Sequence, residues 1–294
     1  MIPPIVSSVS QTREQLDRVR RDGKRIGLVP TMGALHAGHA SLIKRARAEC
    51  DFVVVSIFVN PLQFGPSEDY QRYPRPIEKD AALCADNGVD LIFAPGTGDM
   101  YASTQITFVE VTRITDHLCG PFRPGHFRGV ATVVLKLFSI IQPDVAYFGE
   151  KDYQQLCAIR RMVKDFNLRV TIVPVPTHRE SDGLARSSRN VYLTPEERAA
   201  APALFRALTL AREKVALGET DVAAIKAAAK NVLAAEPLIR VQYFEIVDPE
   251  EVQPVKAVSG PVRIAAAIFI GKTRLIDNVA AGSGLPGSGP ELVD

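Results

Sequence analysis

Residues 27–44 read Gly-Leu-Val-Pro-Thr-Met-Gly-Ala-Leu-His-Ala-Gly-His-Ala-Ser-Leu-Ile-Lys, a string that few local folds satisfy. Ile26, Leu28 and Val29 make an apolar run with the length and β-branched flavour of a buried strand. Pro30 ends the run, and Gly33 and Gly38 bracket a tight turn where the main chain can approach another group closely. After Gly38 the period changes: Leu42, Ile43 and Ala46 fall on one helical face, with Lys44, Arg45 and Arg47 elsewhere. The expected unit is strand, turn and helix, with the free N–H groups of the helix start pointing at the turn. Such an end binds anions, phosphates above all.

The turn carries His36 and His39, three apart and on the same side. It is not a Walker loop, because no Gly-Lys-Ser/Thr closes it, and it is not Gly-x-Gly-x-x-Gly. A zinc pair is disfavoured, since no third Cys, His or carboxylate lies nearby in sequence and a zinc site needs at least three ligands. Two readings stay open: capping histidines, or imidazoles that stabilise a phosphate during nucleotidyl transfer.

The chain has 294 residues, enough to bury a sizeable core in one or two domains. Thirty-five Lys and Arg against 33 Asp and Glu give a net charge of +2, which argues against a general nucleic-acid surface. Phosphate binding therefore has to come from local placement. Cys50, Cys84, Cys119 and Cys157 are scattered without a CxxC, which reads as free thiols. The first residues, Met-Ile-Pro-Pro-Ile-Val, have no basic and long apolar signal pattern, and no apolar run reaches a membrane span, so the cytoplasm is expected.

Taken in order, residues 7–22 predict a short amphipathic helix closed by Gly23. Residues 52–59 are nearly all apolar, as in a parallel strand buried on both faces. Asn60 and Gln63 follow at its carboxyl end, where open α/β sheets bind ligands; turn chemistry explains Asn60 beside Pro61 equally well. A loop with Tyr70, Arg72, Tyr73 and Arg75 leads to a helix at 77–87, a strand at 91–93 and a strand-like alternation at 106–111. Arg123, His126 and Arg128 are expected in or near the loop before an apolar helix at 130–141. A strand at 145–148 is followed at once by Gly149-Glu150-Lys151-Asp152 and a helix to about residue 167, which repeats the first design. Lys151 at that junction suits a phosphate, and Asp152 suits a helix cap, a ribose hydroxyl, or both. After a strand at 170–175, residues 178–190 form a polar loop in which Ser187, Ser188 and Arg189 match polyphosphate oxygens, placed to close over a substrate. Thr194-Pro-Glu-Glu197 is a capping box, followed by an Ala/Leu-rich helix to Gly218, another at 221–235, and strands at 241–247, 262–270 and 273–279. This order predicts an α/β doubly wound parallel sheet at 1–178, a smaller α+β domain at 179–281 and a flexible Gly/Ser/Pro-rich tail at 282–294.

The His36-Ala-Gly-His39 element resembles the HxGH signature of the nucleotidyltransferase superfamily, which includes class I aminoacyl-tRNA synthetases. The longer string at 30–39 resembles the pantothenate synthetase (pantoate–β-alanine ligase) family. Four further blocks agree in order: Phe58-Val-Asn-Pro-Leu-Gln63, Arg123-Pro-Gly-His-Phe127, Phe148-Gly-Glu-Lys-Asp152 with Gln155, and Ser187-Ser-Arg-Asn190. The likeness runs from about residue 1 to 280.

The resemblance implies a Rossmann-like N-terminal domain, a cytosolic homodimer, and ATP-dependent joining of pantoate to β-alanine with Mg²⁺, releasing AMP and pyrophosphate. It implies that Met32, Gly33, Ala34 and Leu35, with His36, Ala37, Gly38 and His39, line the ATP site, His39 being catalytic and His36 its neighbour on the phosphates. Gly149, Glu150, Lys151 and Asp152 would hold nucleoside and phosphate, the backbone at His178 the adenine, and Arg186, Ser187, Ser188 and Arg189 would close on the triphosphate, the second domain forming a lid. Gln63 and Gln155, with Asn60 and Arg123, would take pantoate and β-alanine. The metal is expected to ride on the ATP phosphates, with no nucleic-acid or membrane partner. Where the family more often has Met, Leu or Lys, this chain has Arg186. An adenylyltransferase of the same superfamily, acting on a phosphorylated metabolite, is the alternative; a tRNA-binding relative would need a basic face or an added domain.

Overall fold

The structure, a computed structural model, describes residues 2–66, 68–101 and 105–282 and the backbone of 292–293. The chain divides into two units: one of Met1–Val111, Arg123–Gly149 and Ala158–Val175, the other of Thr112–Phe122, Glu150–Cys157 and Pro176–Asp294. The sequence boundary at 178 thus lies close to the last division, and two earlier segments group with the second unit.

In the first unit the elements run β1 (Ile5–Val6), α1 (Val9–Arg21), β2 (Ile26–Thr31), α2 (Ala37–Glu49), β3 (Phe52–Ile57), α3 (Ile77–Asp86), β4 (Leu91–Phe93), α4 (Thr97–Met100), α5 (His126–Ile141) and β5 (Val145–Gly149). Helix α6 (Tyr153–Asp165) then leads to β6 (Thr171–Val175). The six strands form one sheet in the order β1-β4-β3-β2-β5-β6, every pair parallel. The strand order reverses between β2 and β5, so the HxGH strand is the central one, where open α/β sheets hold their ligands. Its apolar run is buried because helices cover both faces: Leu42, Ile43 and Ala46 of α2 pack with Val29, Val53, Val55 and Ile92.

The second unit has β7 (His178–Arg179), α7 (Pro195–Ala200), α8 (Ala203–Ala216), α9 (Val222–Ala234), β8 (Ile239–Val247), β9 (Val262–Ile270), β10 (Thr273–Ala281) and β11 (Leu292–Val293). An antiparallel sheet β10-β9-β8 packs against α8 and α9 through Leu204, Leu208, Ile225, Phe244, Ile264 and Ile268. The capping box forms as its sequence dictates, Thr194 Oγ1 accepting the Glu197 N–H at 3.3 Å and Glu197 accepting the Thr194 N–H at 3.0 Å. The single Ala/Leu-rich helix expected after it is two, because Pro202 stands at the start of α8 with no N–H to continue the ladder.

Two further corrections concern strands. Strand β1 escapes a periodicity reading because its two residues carry no period; it pairs with β4, the strand expected at 91–93. The alternation at 106–111 forms no strand: Val109 N–H donates to Thr132 Oγ1 at 3.0 Å and the Phe108 ring lies 4.2 Å beneath the Arg128 guanidinium, so the segment packs on α5. Of the tail expected at 282–294, residues 283–291 and 294 lie outside the described residues, and Leu292–Val293 pairs in parallel with His178–Arg179. The four cysteines are free and buried, and burial pushes the Cys84 thiol up to about 12, a neutral core group.

Candidate active site

The turn at the end of β2 is shaped by two left-handed residues, Gly33 at φ 84° and Ala34 at φ 52°. A Cβ on Gly33 would lie 3.0 Å from Asp80 and from Ile57, so the turn is also tightly packed. Asp80, on α3, straps it: its two carboxylate oxygens accept the N–H groups of Ala34 at 2.9 Å and Leu35 at 2.7 Å. Burial raises the Asp80 carboxyl above its ordinary range, while the two N–H donors pull it back down. Sequence reasoning passed over Asp80, since a lone aspartate near a helix start 46 residues downstream reads as a cap.

His36 is the N-cap of α2. Its Nδ1 accepts the Gly38 N–H at 3.2 Å and its carbonyl accepts the His39 N–H at 2.8 Å; His39 Nδ1 accepts the His36 N–H at 3.3 Å. The expected open N–H groups are therefore corrected: Gly38 and His39 already donate to His36. The helix start presents instead two imidazoles with centroids 4.1 Å apart. A neutral ring whose Nδ1 accepts carries its proton on Nε2, so both are Nε2–H donors. Capping and phosphate chemistry are thus compatible, because capping uses one nitrogen and sets the proton on the other.

Asn60 and Gln63 follow β3. Asn60 is 1% exposed; its amide donates to Gln63 Oε1 and Gly129 O, each at 3.1 Å, and its Oδ1 accepts from Leu62 N–H at 3.2 Å and Tyr101 Oη at 2.6 Å. That uses its whole hydrogen-bonding capacity. Asn60, expected as a substrate contact, spends these bonds within the protein and holds the Gln63 amide so that Nε2 faces Met32 Sδ at 3.0 Å. Gly129 permits this arrangement, since a Cβ there would lie 2.1 Å from the Leu62 carbonyl oxygen.

Arg123 is likewise engaged within the protein. Its guanidinium takes both oxygens of Glu68 at 2.7 Å, donates to His126 Nε2 at 2.9 Å and reaches the Gln63 carbonyl at 3.3 Å. Because Arg can only donate, His126 carries its proton on Nδ1 and gives it to the same carbonyl at 2.8 Å. His126 and Arg128 lie in the first turn of α5, one turn earlier than the apolar run predicts. Burial would raise the Glu68 carboxyl, but the Arg123 bonds and charge hold it below its ordinary range. A cavity of about 270 Å³, lined by Met32, Phe58, Tyr70 and Asp80 among others, opens beside these strand ends.

In the second unit, Glu150–Asp152 forms a 3₁₀ turn ahead of α6. Lys151 Nζ lies 3.9 Å from Asp152 Oδ1. Among the described residues the Asp152 carboxylate accepts no main-chain hydrogen bond, so the capping role open to it falls away. The two neighbouring glutamines separate cleanly. Gln154 is buried and staples Cys119 N, Ile114 O and His117 O; the Gln155 side chain is half-buried and makes no hydrogen bond among the described residues.

The His178 carbonyl accepts the Arg186 N–H at 2.9 Å, which folds the loop back on β7. Glu180 gathers the other ends: Arg186 at 3.6 Å, the Asn190 amide at 3.3 Å and Arg198. Arg186 is thus engaged by a carboxylate within its own loop. Ser187 Oγ caps the 3₁₀ turn Ser188–Tyr192 by accepting the Arg189 N–H at 3.3 Å. Beneath the loop runs a buried ion pair, Arg179–Asp277, with bonds of 2.6 and 3.1 Å, which no local pattern announced. Among the described residues no helix is long and apolar enough to cross a membrane.

Fold and site together define a Rossmann-like α/β protein that gathers polar side chains at the carboxyl ends of its parallel strands. The family model for pantoate-beta-alanine ligase matches residues 4–280, and the chain belongs to that family. The pantothenate synthetase of Heliobacterium modesticaldum is 54% identical over 279 residues, covering 95% of this chain and 98% of that one. The solved pantothenate synthetase from Thermus thermophilus has a TM-score of 0.89 at 51% identity, covering 94% and 98%. The pantoate-beta-alanine ligase from Francisella tularensis, solved with beta-gamma ATP and beta-alanine, has a TM-score of 0.79 at 37% identity, covering 94% and 97%.

Proposed function

We propose that this chain is an AMP-forming ligase that condenses (R)-pantoate with β-alanine through a pantoyl adenylate, the step that makes pantothenate. The pantoate carboxylate attacks the α-phosphorus of ATP, pyrophosphate leaves, and the β-alanine amine then displaces AMP from the acyl carbon. The observation that carries the reading, beside family membership, is the histidine pair. With both Nδ1 atoms fixed on main-chain N–H groups, His36 and His39 offer Nε2–H donors of set orientation. Negative charge that builds on the phosphates during attack is what such donors stabilise.

The remaining roles follow from chemistry. Lys151, Ser187, Ser188 and Arg189 supply cationic and hydroxyl donors to the triphosphate, with Gly149–Asp152, the His178 backbone and Arg186 on the nucleotide. Gln63, its amide nitrogen turned toward Met32 by Asn60, and Gln155, whose side chain makes no hydrogen bond among the described residues, donate to pantoate, with Gln63 near β-alanine. Mg²⁺ enters as part of the substrate Mg·ATP; among the described residues no group of three or more His, Cys, Asp or Glu is set to cage a metal. We assign the enzyme to the cytoplasm and to a homodimer. In support of the latter, two large apolar side chains of the segment at 106–111 are exposed, Ile106 at 83% and Phe108 at 36%.

The test is pyrophosphate and AMP release from Mg·ATP with pantoate alone and then with β-alanine. A stoichiometric pyrophosphate burst with pantoate, and steady AMP only after β-alanine, is expected. Absence of pantoate-dependent pyrophosphate, or a stable dinucleotide product, would overturn the reading.

A further inference from the structure

Lys151 sits on a three-residue 3₁₀ turn, too short to hold its own shape. What fixes it comes from β10. The Asn278 side chain, in a residue only 4% exposed, donates to the carbonyl oxygens of Glu150 at 3.0 Å and of Lys151 at 2.9 Å. Its direction is determined, because its Oδ1 accepts from Arg263 Nη1 at 3.1 Å and a guanidinium offers no acceptor to the other end. Arg263 in turn lies 3.8 Å over the Tyr153 ring and 3.5 Å from Glu150 Oε2, so it grips the same turn from the side. The Asn278 N–H donates to Asp277 Oδ1 at 2.7 Å, and Asp277 holds Arg179, which follows His178 directly. Two consecutive residues of β10 therefore anchor the Lys151 turn and the start of the His178 loop.

We propose that Asn278 is a positioning residue for nucleotide binding. It touches no substrate; it fixes two successive carbonyls, and with them the main chain from which the Lys151 ammonium reaches a phosphate. The inference rests on the nucleotide role of Lys151 given above. It places a determinant of ATP affinity 127 residues from the turn it controls.

The experiment is steady-state kinetics of Asn278→Asp and Asn278→Ala in the full chain, alone and combined with Lys151→Ala, with thermal melts to establish folding. Asp keeps the oxygen that accepts from Arg263 and loses both donors; Ala removes the group without adding charge, so either folded variant serves. The expected result is a KM for ATP raised about tenfold, the worth of one or two hydrogen bonds, with KM for pantoate unchanged within about twofold. In the Lys151→Ala background the Asn278 change adds nothing further, the signature of two groups acting as one. Unchanged KM for ATP, equal effects on both substrates, or additivity with Lys151→Ala would overturn the proposal. If Lys151→Ala itself leaves KM for ATP unchanged, the nucleotide role of the turn falls and the proposal with it. If Lys151→Ala raises that KM and the Asn278 variants do not, the proposal falls alone.

Discussion

Gly129→Ala adds a single methyl group where there is no room. The new Cβ would lie 2.1 Å from Leu62 O, 2.4 Å from Leu62 C and 2.7 Å from Gln63 N. All three are main-chain atoms, so no side chain can rotate away. Opening the shortest contact to a tolerable separation of about 3 Å moves the Leu62–Gln63 segment by about 1 Å. Four hydrogen bonds oppose that shift: Asn60 joins Gly129 O to the Gln63 amide through two, and Arg123 and His126 each hold the Gln63 carbonyl through one. The displacement therefore passes to the Gln63 side chain. A misplacement of about 1 Å at a substrate-orienting group costs about 10²-fold in rate. Overpacking costs about 1–3 kcal/mol of stability, against which Ala recovers just under about 1 kcal/mol of helix propensity. The assay is pantoate-dependent pyrophosphate release with a parallel melt. The expected outcome is a folded protein whose kcat/KM for pantoate falls about a hundredfold while KM for ATP holds. Activity within twofold of the parent would refute the chain of contacts from Gly129 to Gln63.

His39→Ala removes one Nε2–H donor and should cost about 10²–10³ in the rate of pyrophosphate release with the fold intact, read by burst kinetics and circular dichroism. Asp80→Asn leaves a donor facing the Ala34 N–H at 2.9 Å; urea unfolding should show a loss of about 1–3 kcal/mol, with adenylate formation falling as the turn loosens. Glu68 has a folded-state pKa below its ordinary 4.5, so its pairing with Arg123 contributes stability above that value and loses it as pH falls through the folded-state value. Glu68→Gln should therefore be less stable than the parent at pH 7, with the gap closing at pH values well below 4.5 in acid-unfolding curves.

The sequence made some of this legible and hid the rest for physical reasons. The β2 strand, its turn and α2 were readable because glycine, proline and a change of hydrophobic period all fall within 18 residues of one another. The Thr194 capping box was readable because both partners lie three residues apart. The alternation at 106–111 misled because period two reports a pleated surface and not the partner strand, and here α5 supplied the contact. Asn60 and Arg123 were picked out by residue type, but their bonds within the protein were not legible. Their residue types suit a ligand, and only the structure shows that Tyr101, Glu68, His126 and Gly129 have already claimed their polar atoms. Asp80 and Asn278 were missed altogether, since each acts on main-chain atoms far away in sequence, and main-chain groups leave no residue signature.

The clamp on Lys151 also orders events during synthesis. The six-stranded sheet has all its strands once Val175 is made, yet Asn278 follows 103 residues later, 278 less 175. A growing chain can thus carry a finished Rossmann-like sheet and an imidazole pair while the turn that bears Lys151 is still unfixed. On the role proposed for Lys151, the turn that carries it is fixed only once β10 has been made.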